Sequence, residues 1–256
     1  GDVAGYVAAS YMRGIPYVGV PTTLLAKVDS SIGGKVGVDI VSGKNMVGAF
    51  HQPRQVYIDV GLLKKLPLSQ LRNGLAELVK HGFIRDAQLV RFIHTHVPQL
   101  LAKDTSVLMH AIEKSCSIKA RIVEEDEQEL GKRQLLNYGH TVGHALETLT
   151  HYKKYDHGEA IALGMVVAAR LSHLAGSFSS QEVATHNEVL AALGLPTKFP
   201  KVTFSTLYAL MQKDKKAVQG KIGFVLLGRI GKARYGVSVE KSLVHKALEL
   251  SLASGT

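Results

Sequence analysis

The densest set of side chains able to do chemistry lies in Gly139-His140-Thr141-Val142-Gly143-His144. Two histidines four apart share one helical face, a spacing suited to a pair of imidazole ligands, and Glu147 follows one turn later. From spacing alone, His140 and His144 pair on a zinc ion. His157-Gly158-Glu159 heads an apolar run, and Glu77 lies within Gly74-Leu75-Ala76-Glu77-Leu78-Val79-Lys80. A carboxylate on an apolar helical stretch needs a partner, because an unpaired buried charge is costly; a metal ion or Lys80 would supply one. Against this stands the ordinary fate of a histidine, of which the chain has 12: most are surface or satisfied core residues. The coincidence of Glu77, His140, His144 and His157, each beside glycine or alanine, brings the two readings level.

Oxyanion binding has separate candidates. Ser30-Ser31-Ile32-Gly33-Gly34-Lys35 reads as a small-residue loop ending in lysine, and Gly43-Lys44-Asn45 repeats the theme. Backbone N–H groups left open by glycine, with a lysine point charge, suit a phosphate or carboxylate. The spacing is not that of a Walker loop, and taken singly such segments are ordinary turns.

The elements that must position these residues change in character along the chain. An alternating α/β texture comes first: a helix over 3–12, strands over 17–20 and 56–59, and Gly- and Ser-rich loops between them. From about residue 69 amphipathic helical periodicity takes over, broken at Pro98, Gly131, Gly158, Gly176 and Pro196. This divides the chain into an α/β part, 1–68, and a mainly helical part, 69–256. A small hairpin is expected over 222–227 and 233–237, and a closing helix over 239–253. The apolar run 160–169 is about half a membrane span and is followed by Arg170 and His173, so it reads as a buried helix. The acidic run 124–129 reads as the solvent end of a helix, and Cys116 as a buried, inert thiol.

With 256 residues and 46% hydrophobic content the chain can bury a full core. Its formal charge of +10 is spread along its length with no basic tail or zinc-finger spacing, which argues against nucleic acid and leaves an anionic small molecule open. No membrane segment or signal sequence is read, and one cysteine forms no internal disulfide, so a reducing cytoplasm is the expected compartment.

Segments 21–35, 43–50, 74–82, 136–147 and 157–160 resemble, in order and at compatible spacings, the 3-dehydroquinate synthase family. The resemblance covers nearly the whole chain and is weakest over 177–204 and after Val237. Val142, His81 and Tyr138 depart from its usual aromatic, tyrosine and leucine. It implies a partial nucleotide-binding α/β domain followed by a helical metal and substrate domain. It also implies a homodimer, bound NAD, and one zinc or cobalt ion on Glu77, His140 and His157, which displaces the spacing-based pairing. In that scheme His144 faces the substrate phosphate and assists proton transfer. Lys35, Asn45, Lys80, Lys119, Arg133, Asn137 and a lysine of Lys215-Lys216 surround a phosphorylated sugar acid, and Arg13 reaches a partner's site. Asp2, Thr22, Thr23, Asp29 and Lys44 contact NAD. The implied reaction runs by transient oxidation, phosphate elimination, reduction and intramolecular aldol closure. The family carries a nucleotide-binding segment of about 100 residues, ordinary for a domain, ahead of the point matching Gly1-Asp2; without it the piece is expected to bind metal but turn over negligibly. Alternatives are a related inosose- or valiolone-forming cyclase, a metal-dependent alcohol or glycerol dehydrogenase, or a non-catalytic metal-binding fragment.

Overall fold

The computed structural model describes residues 1–40, 43–214 and 222–252, with residues 43–45 and 214 described by their backbone alone. Helix α1 (Asp2–Ser10) packs on a hairpin of β2 (Lys35–Ile40) and β3 (Gly43–Phe50). Two short strands, β1 (Val18–Gly19) and β4 (Gln55–Val56), pair in parallel. Between β1 and β2 the backbone makes a wide turn over Ala26–Ser30, in which Ser31 N–H reaches back five residues to Ala26 O at 3.1 Å.

The rest is helical, from α2 (Leu68–Arg85), α3 (Ala87–Thr95), α4 (Val97–Leu101) and α5 (Thr105–Glu125) through α6 (His140–Leu149), α7 (His157–Leu174), α8 (Ser180–Ala192) and α9 (Phe204–Asp214). The hairpin of β5 (Gly223–Arg229) and β6 (Lys232–Ser238) and the final helix α10 (Lys241–Ser251) close the chain. Helix starts follow local chemistry: Asp86 and Asp104 cap α3 and α5 with side-chain oxygens, and capping boxes Asp156/Glu159 and Ser179/Glu182 open α7 and α8. Glu159 is thereby explained as a cap, since its carboxylate accepts from Asp156 N–H at 3.0 Å.

Two helices are buried almost all round, the pattern of a helix surrounded by protein on every side. These are α2 and α7. Ile161, Ala162, Met165 and Val166 of α7 enter one core with α2, α3, α5 and α8, while Leu163, Val167 and Leu171 enter a second with α6, α9, α10 and the β5–β6 hairpin. Each of these Val, Leu, Ile and Met side chains, fully buried, contributes about 1.5–3 kcal/mol.

The expected loop at 43–45 is the start of a strand, and Lys35 opens the strand opposite. Val36, Val38 and Val47 alternate along the pairing and Gly37 faces Gly48 across it, but the glycines at 33, 34 and 43 made its ends read as turns. The hairpin at 223–238 and the buried helix over 160–169 match the sequence pattern.

Helices α6 and α7 approach most closely at Gly164, where a Cβ would stand 1.9 Å from Gly139 O. Alanine is favoured over glycine within a helix by about 1 kcal/mol, but forced overpacking costs about 1–3 kcal/mol or more. Gly164→Ala should therefore lower the denaturant midpoint of unfolding; a raised midpoint would contradict this packing.

Candidate metal and anion site

Three elements carry the site. Glu77 and Lys80 project from the middle of α2, His140 is the first residue of α6 and His157 the first of α7. Gly139, at φ 81, makes the left-handed turn that starts α6 against α7. Asn73 of α2 accepts from Gly158 N–H at 2.5 Å, tying the start of α7 to α2 one turn before Glu77.

Glu77 is fully buried, and its two carboxylate oxygens differ. Lys80 Nζ bonds Oε2, while Oε1 has no hydrogen-bond partner. That oxygen lies 3.5 Å from His140 Nε2 and 3.7 Å from His157 Nε2. His140 Nδ1 donates to Tyr138 O at 3.1 Å, which leaves the Nε2 lone pair facing the carboxylate. His157 Nδ1 likewise lies 3.3 Å from Glu147 Oε1. An acceptor facing an acceptor in a buried space is a geometry completed by a cation. Burial, with Lys80, His144 and His157, holds His140 well below the usual histidine range and so neutral, the form that ligates metals. At His157 burial opposes charge, but the Glu147 hydrogen bond and the Glu77 charge outweigh it and raise its pKa.

Around this trio lies a cavity of about 720 Å³. Asp2, Asp29, Lys35, Lys80, Lys119, Arg133, Asn137, His140, His144 and His157 all line it. Lys119 pairs with Asp29 Oδ1 at 2.5 Å. Burial would raise the Asp29 carboxyl, yet Lys119 and Lys80 hold it well below the carboxylate range. Partial burial, with Arg133 and Lys119, pulls the Lys35 ammonium down to about 8. Arg133 gives its guanidinium to Gly33 O at 2.8 Å and to Glu127 O, so it also braces the cavity wall. Helices α6 and α7 both point their N-termini here, adding partial positive charge.

The other expected residues lie elsewhere. Thr22 is exposed, and the Thr23 hydroxyl accepts from Ala26 N–H at 3.1 Å, capping the wide turn that carries Asp29. Arg13 is exposed on a separate cavity of about 480 Å³ with His51 and Arg54. The side chains of Lys44 and Asn45, and Lys215 and Lys216 entirely, lie outside the described residues.

Helical spacing does place His140 and His144 side by side, ring centroids 5.0 Å apart, but the groups of three converging donors divide them. The donor atoms that converge with His140 belong to Glu77 and His157, whereas His144 groups with Glu147 and His157. A four-residue spacing reports neighbours on one helix and cannot see α2 or α7 arriving from elsewhere. The acidic run is corrected too: α5 ends at Glu125, and Glu129, at φ 62, turns into the cavity to bind Lys35 and, at 2.5 Å, Asn137 Nδ2. Neither Glu129 nor the orienting role of Glu147 was read from sequence; seven residues from His140 to Glu147, two turns of one face, is the signal that pointed to the latter. A third group, Asp29, Glu77 and His81, has both carboxylates already engaged by Lys119 and Lys80.

Comparison with known proteins is decisive on ancestry. The family model described as 3-dehydroquinate synthase N-terminal matches residues 1–73, and that described as 3-dehydroquinate synthase C-terminal matches 74–217. The chain belongs to the 3-dehydroquinate synthase family. It is 48% identical over 231 residues to 3-dehydroquinate synthase of Geotalea uraniireducens (strain Rf4), covering 90% of this chain and 64% of that protein, so it spans less than two thirds of this relative's length. The enzyme of Nitrosomonas europaea is 46% identical over 253 residues, 99% of this chain and 69% of that one. Among solved structures, 2-epi-5-epi-valiolone synthase from Streptomyces hygroscopicus subsp. jinggangensis 5008, with NAD+ and Zn2+ bound, superposes with a TM-score of 0.90 at 28% identity, over 97% of this chain and 69% of that one. A 2-deoxy-scyllo-inosose synthase complexed with carbaglucose-6-phosphate, NAD+ and Co2+ gives 0.88 at 31%, over 98% and 71%. A probable glycerol dehydrogenase from Sinorhizobium meliloti 1021 shares the fold alone, at TM-score 0.61 and 14% identity over 92% and 69%.

In this family member burial holds His81 and His140 well below the usual histidine range and His186 at about 4. Between these values and about 6.5 the unfolded chain binds more protons than the folded one, so stability rises with pH and is lost as pH is lowered. His157, raised, works the other way as one group against three. In chelator-treated protein the urea midpoint should drop as pH is lowered from 6.5 towards 4.5; a midpoint that does not move would contradict these buried neutral imidazoles.

Proposed function

We propose that the chain forms the metal- and substrate-binding part of a 3-dehydroquinate synthase, which converts 3-deoxy-arabino-heptulosonate 7-phosphate to 3-dehydroquinate and phosphate in aromatic amino acid biosynthesis. The observation that carries this reading is the buried Glu77 Oε1, without a partner and facing two imidazole nitrogens at 3.5 and 3.7 Å beneath a wall of lysines. One carboxylate with two neutral-capable imidazoles is the donor set of a catalytic zinc site with positions left for substrate. Glu77, His140 and His157 would hold a zinc or cobalt ion, which supplies charge stabilisation at a substrate oxygen, while NAD supplies reversible hydride transfer.

The protein's own groups do the rest. Lys80 neutralises Glu77 Oε2 and so fixes which oxygen faces the histidines. Lys35, Lys119, Arg133 and Asn137 line the cavity on the side that would take carboxylate and phosphate, aided by the N-termini of α6 and α7. Glu129 now holds Lys35 and Asn137, and an entering anion would exchange with it. His144 lines the cavity one turn beyond His140, outside the Glu77 trio, where its imidazole can carry a proton during phosphate elimination. Asp2 and Asp29 line the same cavity and support the assignment of this side to NAD, with Thr22, Thr23 and Lys44. The placement of Arg13, exposed and outside the main cavity, supports a role in a second copy of a homodimer.

Identity favours dehydroquinate formation over the related cyclases: 45% to 49% to the leading 3-dehydroquinate synthases, against 28% and 31% to the valiolone and inosose enzymes. The direct test is phosphate release from the heptulosonate phosphate by the full-length gene product with NAD and Zn2+ or Co2+; no release would reject the activity. His140→Ala should abolish stoichiometric Co2+ binding, and full occupancy in that variant would remove His140 from the ligand set. Lys35→Met, which removes a cavity charge without the bracing role of Arg133, should weaken binding of a phosphonate substrate analogue by about tenfold or more, the equivalent of about 1.5–3 kcal/mol for a charged hydrogen bond. An unchanged dissociation constant would exclude Lys35 from the site.

A further inference from the structure

A buried polar contact joins the metal-site elements from outside the cavity. The Tyr138 side chain is fully buried; its hydroxyl lies 3.1 Å from His186 Nε2 and 3.4 Å from Met165 O. His186 Nδ1 lies 3.1 Å from Asn187 Oδ1, an acceptor, so Nδ1 carries the proton and Nε2 accepts from the phenol. The same imidazole packs on Phe83, ring centroids 4.2 Å apart. His186 of α8 therefore touches both Tyr138, whose carbonyl orients His140, and Phe83, on the helix that carries Glu77.

We infer that the Tyr138–His186 hydrogen bond is a positioning device for the metal centre, fixing the start of α6 against α2 so that His140 Nε2 and Glu77 Oε1 converge. Neither residue lines the cavity, and neither can touch substrate. The geometric reason lies in the peptide of Tyr138. Its carbonyl sets the tautomer and ring plane of His140, and its buried side chain ties that peptide to His186 and Met165. Partners that orient ligating histidines are worth about 10–100-fold in metal affinity. A buried pair that were only a core filler would cost stability when broken and leave metal affinity unchanged.

The inference rests on the metal reading of Glu77, His140 and His157, and Co2+ titration of the chain separates the two. Tyr138→Phe deletes one oxygen and leaves His186 Nε2 unpaired; Tyr138→Phe with His186→Leu removes both polar partners, which restores much of the lost stability. Co2+ dissociation constant, the d–d absorption of the bound ion and melting temperature are measured for all three proteins. The expected result is a roughly tenfold weaker Co2+ complex with an altered d–d spectrum in Tyr138→Phe, retained in the double variant although its melting temperature recovers. Affinity and spectrum identical to the unsubstituted chain in both variants, or recovering in step with melting temperature, would overturn the inference and leave the metal reading standing. Should the single variant not fold, the double variant decides alone by the same criterion. No Co2+ binding by the unsubstituted chain would overturn both.

Discussion

The structure is organised around one carboxylate that has been taken out of water and only half compensated. Glu77 is fully buried on a helix buried on nearly every side, and Lys80 satisfies one oxygen but not the other. Burying a charge this way costs several kcal/mol unless the geometry around it is completed. The arrangement of α2, α6 and α7 follows from that demand. Asn73 locks the start of α7 to α2, and the left-handed turn at Gly139 lets α6 begin in contact with α7. Two imidazoles from different helices are thereby delivered to the same oxygen.

Charge around this centre is layered. Closest in, acceptors face one another; one shell out, Lys80, Lys119, Lys35 and Arg133 supply cations, each tied to a protein oxygen. Asp29 and Glu129 fix the positions of Lys119 and Lys35. Lys80, Lys119 and Arg133 are thus held in place by protein oxygens, the preorganisation under which electrostatic stabilisation is strongest, while Lys35 would first have to exchange Glu129 for an anion.

The sequence displayed the parts of this site far better than their grouping. Helical periodicity after residue 69, the buried run at 160–169 and the glycine-punctuated hairpin near the end were legible because each is a local pattern. The β2–β3 hairpin was hidden by its own glycines. Glu77, His140, His144 and His157 stood out by residue type and neighbours, but helical spacing offered only His140 with His144, since the atoms that converge with His140 come from two other helices, one of them 63 positions away. The ties of Asp29 to Lys119 and of Glu129 to Lys35 span 90 and 94 residues. No periodicity encodes such meetings; resemblance to a family grouped Lys35 and Lys119 around one substrate beforehand, and nothing placed Glu129.

Helix α7 belongs to both hydrophobic cores and begins with His157. Either core can loosen only by freeing one face of a helix whose other face the second core still holds, so the helix has no cheap local route to opening. An element with that topology breathes on the timescale of global unfolding, and its amides belong with the slowest to exchange with solvent. One imidazole of the centre is therefore mounted on a helix held from two sides, while α1 and the β2–β3 hairpin pack on each other.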